Sequence, residues 1–334
     1  MSAASAPPDL FGIPLDMRTP YTYRFSFETQ YDLGHNWMMS LGYQGSATHK
    51  YPRVVNYSQF FPPNPSLKNV KFIRNDVNSN YNALLTRISH RFGTGFELNA
   101  QYRWAKSLDF CSNDDNCVQT YPFNQATEYG PSDFDVKHTF NASGVWSLPI
   151  FRNRHGWLGF FLGGWQISGI FTASTGFPWT PVYAPGNCDA ANRMGVLCPQ
   201  RPAAYLGGAG NSSSNSTFQQ QGGNFPGDAL SYFVAPANLT DYTPPGVGRN
   251  SFRGPKYLDV DAAAGKRFRL PKIPLLGENA GLEIRANFFN IFNTLNLSPF
   301  LFNSGSTQIN SPDFGRATSA LAGRTIEFQG RFDF

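Results

Sequence analysis

The chain has 334 residues, a formal net charge of +5 and only 15% charged residues, against roughly 25% in ordinary soluble domains. Its 27 Lys and Arg residues are dispersed, which excludes the basic patch of a nucleic-acid-binding protein. Aromatics reach 16% while mean hydropathy is negative, a combination that fits strands greasy on one face and wet on the other.

Residues 1–19 are proline-rich and read as an irregular loop tail. They lack the basic and apolar segments of a signal peptide, so for an exported chain the true N-terminus is expected upstream. From Tyr21 the pattern changes to a period of two. Tyr21, Tyr23, Phe25, Phe27 and Tyr31 fall on one face, and Arg24, Ser26, Glu28 and Gln30 on the other. After an LGHN turn, Trp37, Met39, Leu41 and Tyr43 mark the apolar face of a second strand. Residues 48–78 hold Pro52, Pro62, Pro63 and Pro65 and are expected to form a long loop, since proline cannot donate to a central ladder. A third strand is predicted over Tyr81–Phe92, a tight GTG turn over 93–95, and a fourth strand from Phe96 through Trp104.

A second long loop carries Cys111 and Cys117, then strands are predicted near Lys137–Leu148 and Trp165–Ser174, with a modest turn between. The uncharged stretch Gly156–Ala173 holds five glycines, each of which costs a helix about 1 kcal/mol. It therefore reads as a glycine-rich turn followed by a strand. Residues 176–255 form the longest irregular part and contain Cys188 and Cys198. Strands near Tyr257–Phe268 and Leu282–Phe292 follow, then a fourth long loop over 295–320. In the last stretch, LAGRTIEFQGRFDF, Ile326, Phe328, Phe332 and Phe334 alternate with Glu327, Gln329, Arg331 and Asp333.

Short and long connections alternate along the whole chain, and in a meander alternate connections share one end. Every long loop thus lies at one end and every short turn at the other, the asymmetry of an up-and-down transmembrane β-barrel with short periplasmic turns and long extracellular loops. The expected fold is all-β and antiparallel, a partial barrel of about nine strands over residues 20–334. Bacterial single-chain barrels have an even strand number, and open edges are not tolerated in lipid, so further strands are expected to complete it.

YTYRFSFETQYDLGHNWMMSLGYQGSATHKYPR, SNYNALLTRISHRFGTGFELNAQYRWAKSLD, GPSDFDVKHTFNASGVWSLPI, LGGWQISGIFTASTGFPWTPV, RANFFNIFNTLNL and the closing IEFQGRFDF resemble, in order, the barrel of TonB-dependent outer-membrane receptors of the Oar-like type. The resemblance implies a bacterial outer-membrane location and capture of a small ligand, such as an oligosaccharide or a metal chelate, by extracellular loops. It also implies contact with outer-membrane lipid, insertion by the barrel-assembly machinery through Phe332 and Phe334, and import driven by the TonB complex through an N-terminal plug. The plug and the earlier strands are absent from this sequence.

Twelve charges on the wet faces are expected to line the lumen: Arg24, Glu28, Arg87, Glu97, Arg103, Asp259, Asp261, Arg267, Glu283, Arg285, Glu327 and Arg331. The simplest role for them is a hydrated wall of compensating charge; contact with substrate or plug is the alternative. Trp37, Trp104, Trp146 and Trp165 are expected in interfacial girdles rather than stacked on a sugar. Tyr183, Phe218, Phe225, Tyr232 and Phe233, aromatics on a polar loop, are candidates for ligand contact, weighed against packing of the loop on itself. Cys111 with Cys117 and Cys188 with Cys198 are expected as loop disulfides of an oxidising compartment. Neither spacing suits zinc, and Asp109, Asn113, Asp114 and Asp115 lack the spacing of a calcium loop.

The five histidines form no HExxH motif, and neither a GxSxG elbow nor a phosphate-binding glycine loop occurs. No catalysis and no cofactor are expected. The alternative reading is a soluble secreted β-sandwich, an adhesin or carbohydrate-binding protein, in which the aromatic faces would be buried between two sheets.

Overall fold

The computed structural model describes residues 8, 10–57, 67, 70–92, 95–112, 120–121, 123–151, 156–184, 199–207, 228–239, 241–269 and 280–333. Nine long strands form its wall: β1 (Tyr21–Gly34), β2 (Trp37–Asn56), β3 (Val70–Phe92), β4 (Phe96–Asp109), β5 (His138–Ser147), β6 (Trp165–Ser174), β7 (Tyr257–Arg269), β8 (Gly281–Phe289) and β9 (Thr325–Asp333). Their order in the sheet is their order in the chain, and each neighbouring pair is antiparallel. The β1–β2 turn places His35 at φ 52° and Asn36 at φ 62°, the doubly positive geometry of a type I′ hairpin turn.

The register fixes two faces. Glu97 pairs with Val145, Val145 with Ser168, Ser168 with Ala263, Ala263 with Asn287 and Asn287 with Glu327, which defines one face across six strands. On the other, Trp37, His90, Leu98, Gly144, Gly169, Ala262, Phe288 and Ile326 line up in the same way. Aromatics of this second face stand open: Phe27 is 70% and Phe328 84% exposed. Among the described residues no second sheet covers them, and the two further sheets are two-stranded ladders within the long loops. The sandwich expectation is thereby corrected.

Four local differences from the sequence reading have physical causes. Strands β2 and β3 run well into the segment assigned to a loop; Pro52 is accommodated beside register shifts flanking Tyr51, the irregularity at which a ladder tolerates proline. Within the supposed loop tail, Leu10–Gly12 pairs in parallel with Val70–Phe72. Strand β8 stops at Phe289 instead of Phe292 because Asn290 takes φ 50° and its amide bridges the backbone of Thr294. The glycine-rich turn before β6 contains a helix, α1 (Trp157–Leu162). Its last-turn carbonyls are taken up by side chains, Phe160 by the Lys266 ammonium and Phe161 by the Trp165 indole at 3.0 Å. Gly163 closes it in a space where a Cβ would lie 2.6 Å from the Phe151 carbonyl oxygen. No helix among the described residues is long and apolar enough to cross a membrane.

At the long-loop end, segments from two connections, 174–257 and 289–325, fold together. Trp179, Ala229, Phe233, Val247, Phe252, Phe300, Ile309 and Phe314 form a buried core, with Trp179 between the rings of Phe252, Phe300 and Phe314 at 5.3–5.7 Å. The described parts of these loops thus pack as a cap.

Candidate functional site

The first candidate surface is the polar face of the wall. The register places all twelve predicted charges on it: Arg24 and Glu28 in β1, Arg87 in β3, Glu97 and Arg103 in β4, Asp259, Asp261 and Arg267 in β7, Glu283 and Arg285 in β8, and Glu327 and Arg331 in β9. Three of them pair with further charges of the same face: Glu97 with Arg91 at 3.4 Å, and Arg267 and Arg331 with Asp333 at 3.5 and 2.8 Å. Arg103 donates to the Thr139 hydroxyl at 3.1 Å. Exposed pairs of this kind contribute about 0–1 kcal/mol each, so they hydrate and balance the face more than they hold it together. Near the short-turn end a cleft of about 430 Å³ opens among Gln166, Ser168, Arg267, Glu283 and Arg285.

The opposite face carries the four predicted tryptophans. Trp37, Trp146 and Trp165 lie beside the short turns, whereas Trp104 lies toward the long loops with Tyr21 and Tyr23. Two aromatic belts separated along the strands are the arrangement that amphipathic rings adopt at two membrane interfaces.

The second candidate surface is the cap, organised by buried ion pairs. Arg201, 2% exposed, donates to Glu128 and to the Thr120 hydroxyl at 3.0 and 2.7 Å, and to the carbonyls of Thr127 and Val247. Burial lowers its pKa and the adjacent Glu128 carboxylate acts against that shift. Glu128 also accepts from the backbone N–H groups of Thr120 and Tyr121. Arg249 pairs with Asp109 at 2.6 Å and donates to the Ser112 hydroxyl; Arg253 pairs with Asp135. Asn250 bridges the Pro131 carbonyl, Asp133 and Thr180. Two connections far apart in sequence, 109–138 and 174–257, are thereby stitched into one body over the end of the wall.

Of the loop aromatics, Phe233 is 1% exposed within the cap core, so its candidacy for ligand contact is corrected: packing claims the whole ring. Tyr183 and Tyr232 are partly buried against the same core, while Phe218 and Phe225 lie outside the described residues. Cys111 is disulfide-bonded; Cys117, Cys188, Cys198 and Phe334 lie outside the described residues, as do Asn113, Asp114 and Asp115. Asp109 is engaged by Arg249, and among the described residues no group of three or more His, Cys, Asp or Glu side chains could hold a metal.

Sequence reasoning passed over Arg201, Arg249, Arg253, Glu128 and Asp135, because loop residues carry no periodicity. One signal was available. Charges are sparse in 176–255, limited to Asp189, Arg193, Arg201, Asp228, Asp241, Arg249 and Arg253, and Arg253 follows Phe252; an arginine drawn into an apolar core needs a buried partner.

The family described as outer membrane beta barrel domain matches residues 1–327. Among solved structures the chain is similar to the outer membrane transporter YddB from Escherichia coli, at 10% identity and a TM-score of 0.54 over 98% of this chain and 34% of that one. It is also similar to the FrpB iron transporter from Neisseria meningitidis, at 12% identity, TM-score 0.46, 97% and 33% coverage. A third similar structure is the ferripyoverdine receptor of Pseudomonas aeruginosa, at 13% identity, TM-score 0.43, 94% and 27% coverage. The chain spans about a third or less of the length of these three proteins. No curated protein matches it.

Proposed function

Because the chain belongs to the outer membrane beta barrel domain family, and so to the bacterial outer membrane, we propose that it is the C-terminal wall and cap of a TonB-dependent receptor that imports a small ligand. The observation that carries this reading is the pairing of a two-faced, nine-stranded meander with a folded cap at its long-loop end. The aromatic face meets lipid. The charged face lines the lumen, where Glu283, Arg285 and Arg267 meet either water or a plug. The long loops face outward, and the ligand, an oligosaccharide or a metal chelate, is held on the outer side of the cap by groups such as Tyr183 and Tyr232. The wall ends in two edges, β1 and β9, that each have one neighbour among the described residues. Unpaired edges are not stable in hydrocarbon, so further strands complete the barrel, and a plug coupled to the TonB complex gates it. The chain's own role in this reading is binding and passage, not catalysis.

The test is growth on each ligand class in turn by cells with and without the gene. A defect on one class, reproduced when TonB is removed, is expected; normal growth on both classes would contradict the import role. Two subsidiary results are expected. Deletion of Phe334 should lower the yield of assembled barrel in the outer membrane, since the terminal aromatic is the proposed mark read by the assembly machinery; an unchanged yield would remove that role. Non-reducing mass mapping should find Cys111 joined to Cys117 and Cys188 to Cys198, and any other pairing would overturn the loop-disulfide assignment.

A further inference from the structure

Helix α1 has no function in the receptor reading, yet it is exposed and wholly apolar in sequence. From Trp157 to Trp165 the chain carries no charged residue, yet Trp157 is 70% and Phe161 56% exposed. Exposed apolar surface of this kind marks an interaction site. The helix has six residues, about 9 Å of rise, and so does not span a bilayer.

Its attachment shows which surface it extends. The Lys266 ammonium donates to the Phe160 carbonyl oxygen and lies 4.7 Å from the centre of the Phe268 ring. The Phe160 ring is 5.3 Å from Phe268, and the Trp165 indole N–H donates to the Phe161 carbonyl. Lys266 pairs in register with Trp165 and Ile284, and Phe268 pairs with Leu282; all belong to the aromatic face of the wall. Helix α1 therefore lies against that face at the short-turn end, continuous with it. The arrangement is mutual. An ammonium on a lipid-facing surface is costly unless paired or covered, and α1 leaves Lys266 only 5% exposed. In return the cation meets the negative, C-terminal end of the helix and an aromatic ring.

We propose that α1 is a membrane-surface anchor, embedded at the headgroup–acyl boundary of the periplasmic leaflet and locked to the barrel wall by Lys266. Phospholipid is the occupant of its exposed side, because that side continues the face already in contact with lipid. A tryptophan and phenylalanines on a short uncharged helix suit that boundary. The inference rests on the aromatic face meeting lipid, and its test separates the two.

The protein, in outer-membrane fragments fused with spin-labelled phospholipid, carries an environment-sensitive fluorophore at one of two positions, through Trp157→Cys or Phe328→Cys. Shallow spin labels are expected to quench position 157 strongly and aqueous iodide weakly, while deep labels quench position 328. Quenching of 157 by iodide alone, with 328 still quenched by lipid, would overturn the anchor and leave the lipid face standing. Shielding of 157 from both quenchers would indicate a protein occupant and also overturn it. Iodide quenching at both positions would remove the lipid face and the anchor together. Lys266→Met, which leaves an apolar side chain on the lipid side, should preserve the assembled barrel while most of the lipid quenching at 157 is lost to iodide; an unchanged pattern would overturn the role of Lys266.

Discussion

Phe328→Arg is expected to block assembly into the outer membrane, whereas Gln329→Arg, one residue along the same strand, should leave most of the protein assembled. Phe328 pairs with Ala286 on the aromatic face and Gln329 with Arg285 on the charged one. A guanidinium turned toward the bilayer midplane costs about 2–4 kcal/mol. At Gln329 the new charge sits in water beside Arg285, a like-charge cross-strand contact that costs about 0.2–1 kcal/mol. The difference should be visible as heat-modifiable migration of the protein in outer-membrane fractions. Equal loss in both variants would contradict the assignment of faces.

The second large effect is expected in the cap. Arg201→Ala leaves the Glu128 carboxylate buried with its hydrogen bonds from Thr120 and Tyr121 but without its cation. Removing one partner of a buried ion pair costs about 3–5 kcal/mol. Because the wall is held by its own ladders, the loss should be local. Protease added to intact cells is expected to cut the long loops of the variant and spare the wild type, while the barrel still assembles. Loops that stay resistant would mean that the aromatic core around Trp179 holds the cap without this pair.

The wall was legible in the sequence because a strand encodes itself twice, in the alternation of its residues and in the chemistry of its ends. Strands β1, β4 and β9 were readable from alternation alone, and the turn at His35 and Asn36 from its short polar linker, though not its type. Where the reading stopped short, a long-range partner overrode a local rule. Pro52 continues a strand because a bulge removes the need for its N–H. The glycines around Trp157 permit a helix because Lys266, about a hundred residues later in the chain, supplies a donor to its last turn. The cap was the least legible part. Its order comes from Arg201, Arg249 and Arg253 reaching carboxylates on another connection, and contacts between loops leave no period in either one.

Ligand import through this wall requires it to be a sector of a larger barrel in the outer membrane. The most direct measurement is an immunoblot of fractionated source cells, comparing unheated with boiled samples. The expected result is an outer-membrane band well above the 37.1 kDa of this chain that migrates faster before boiling, as a closed barrel does. A band at 37.1 kDa in the soluble or secreted fraction, unchanged by heating, would contradict both the membrane wall and the transport role built on it.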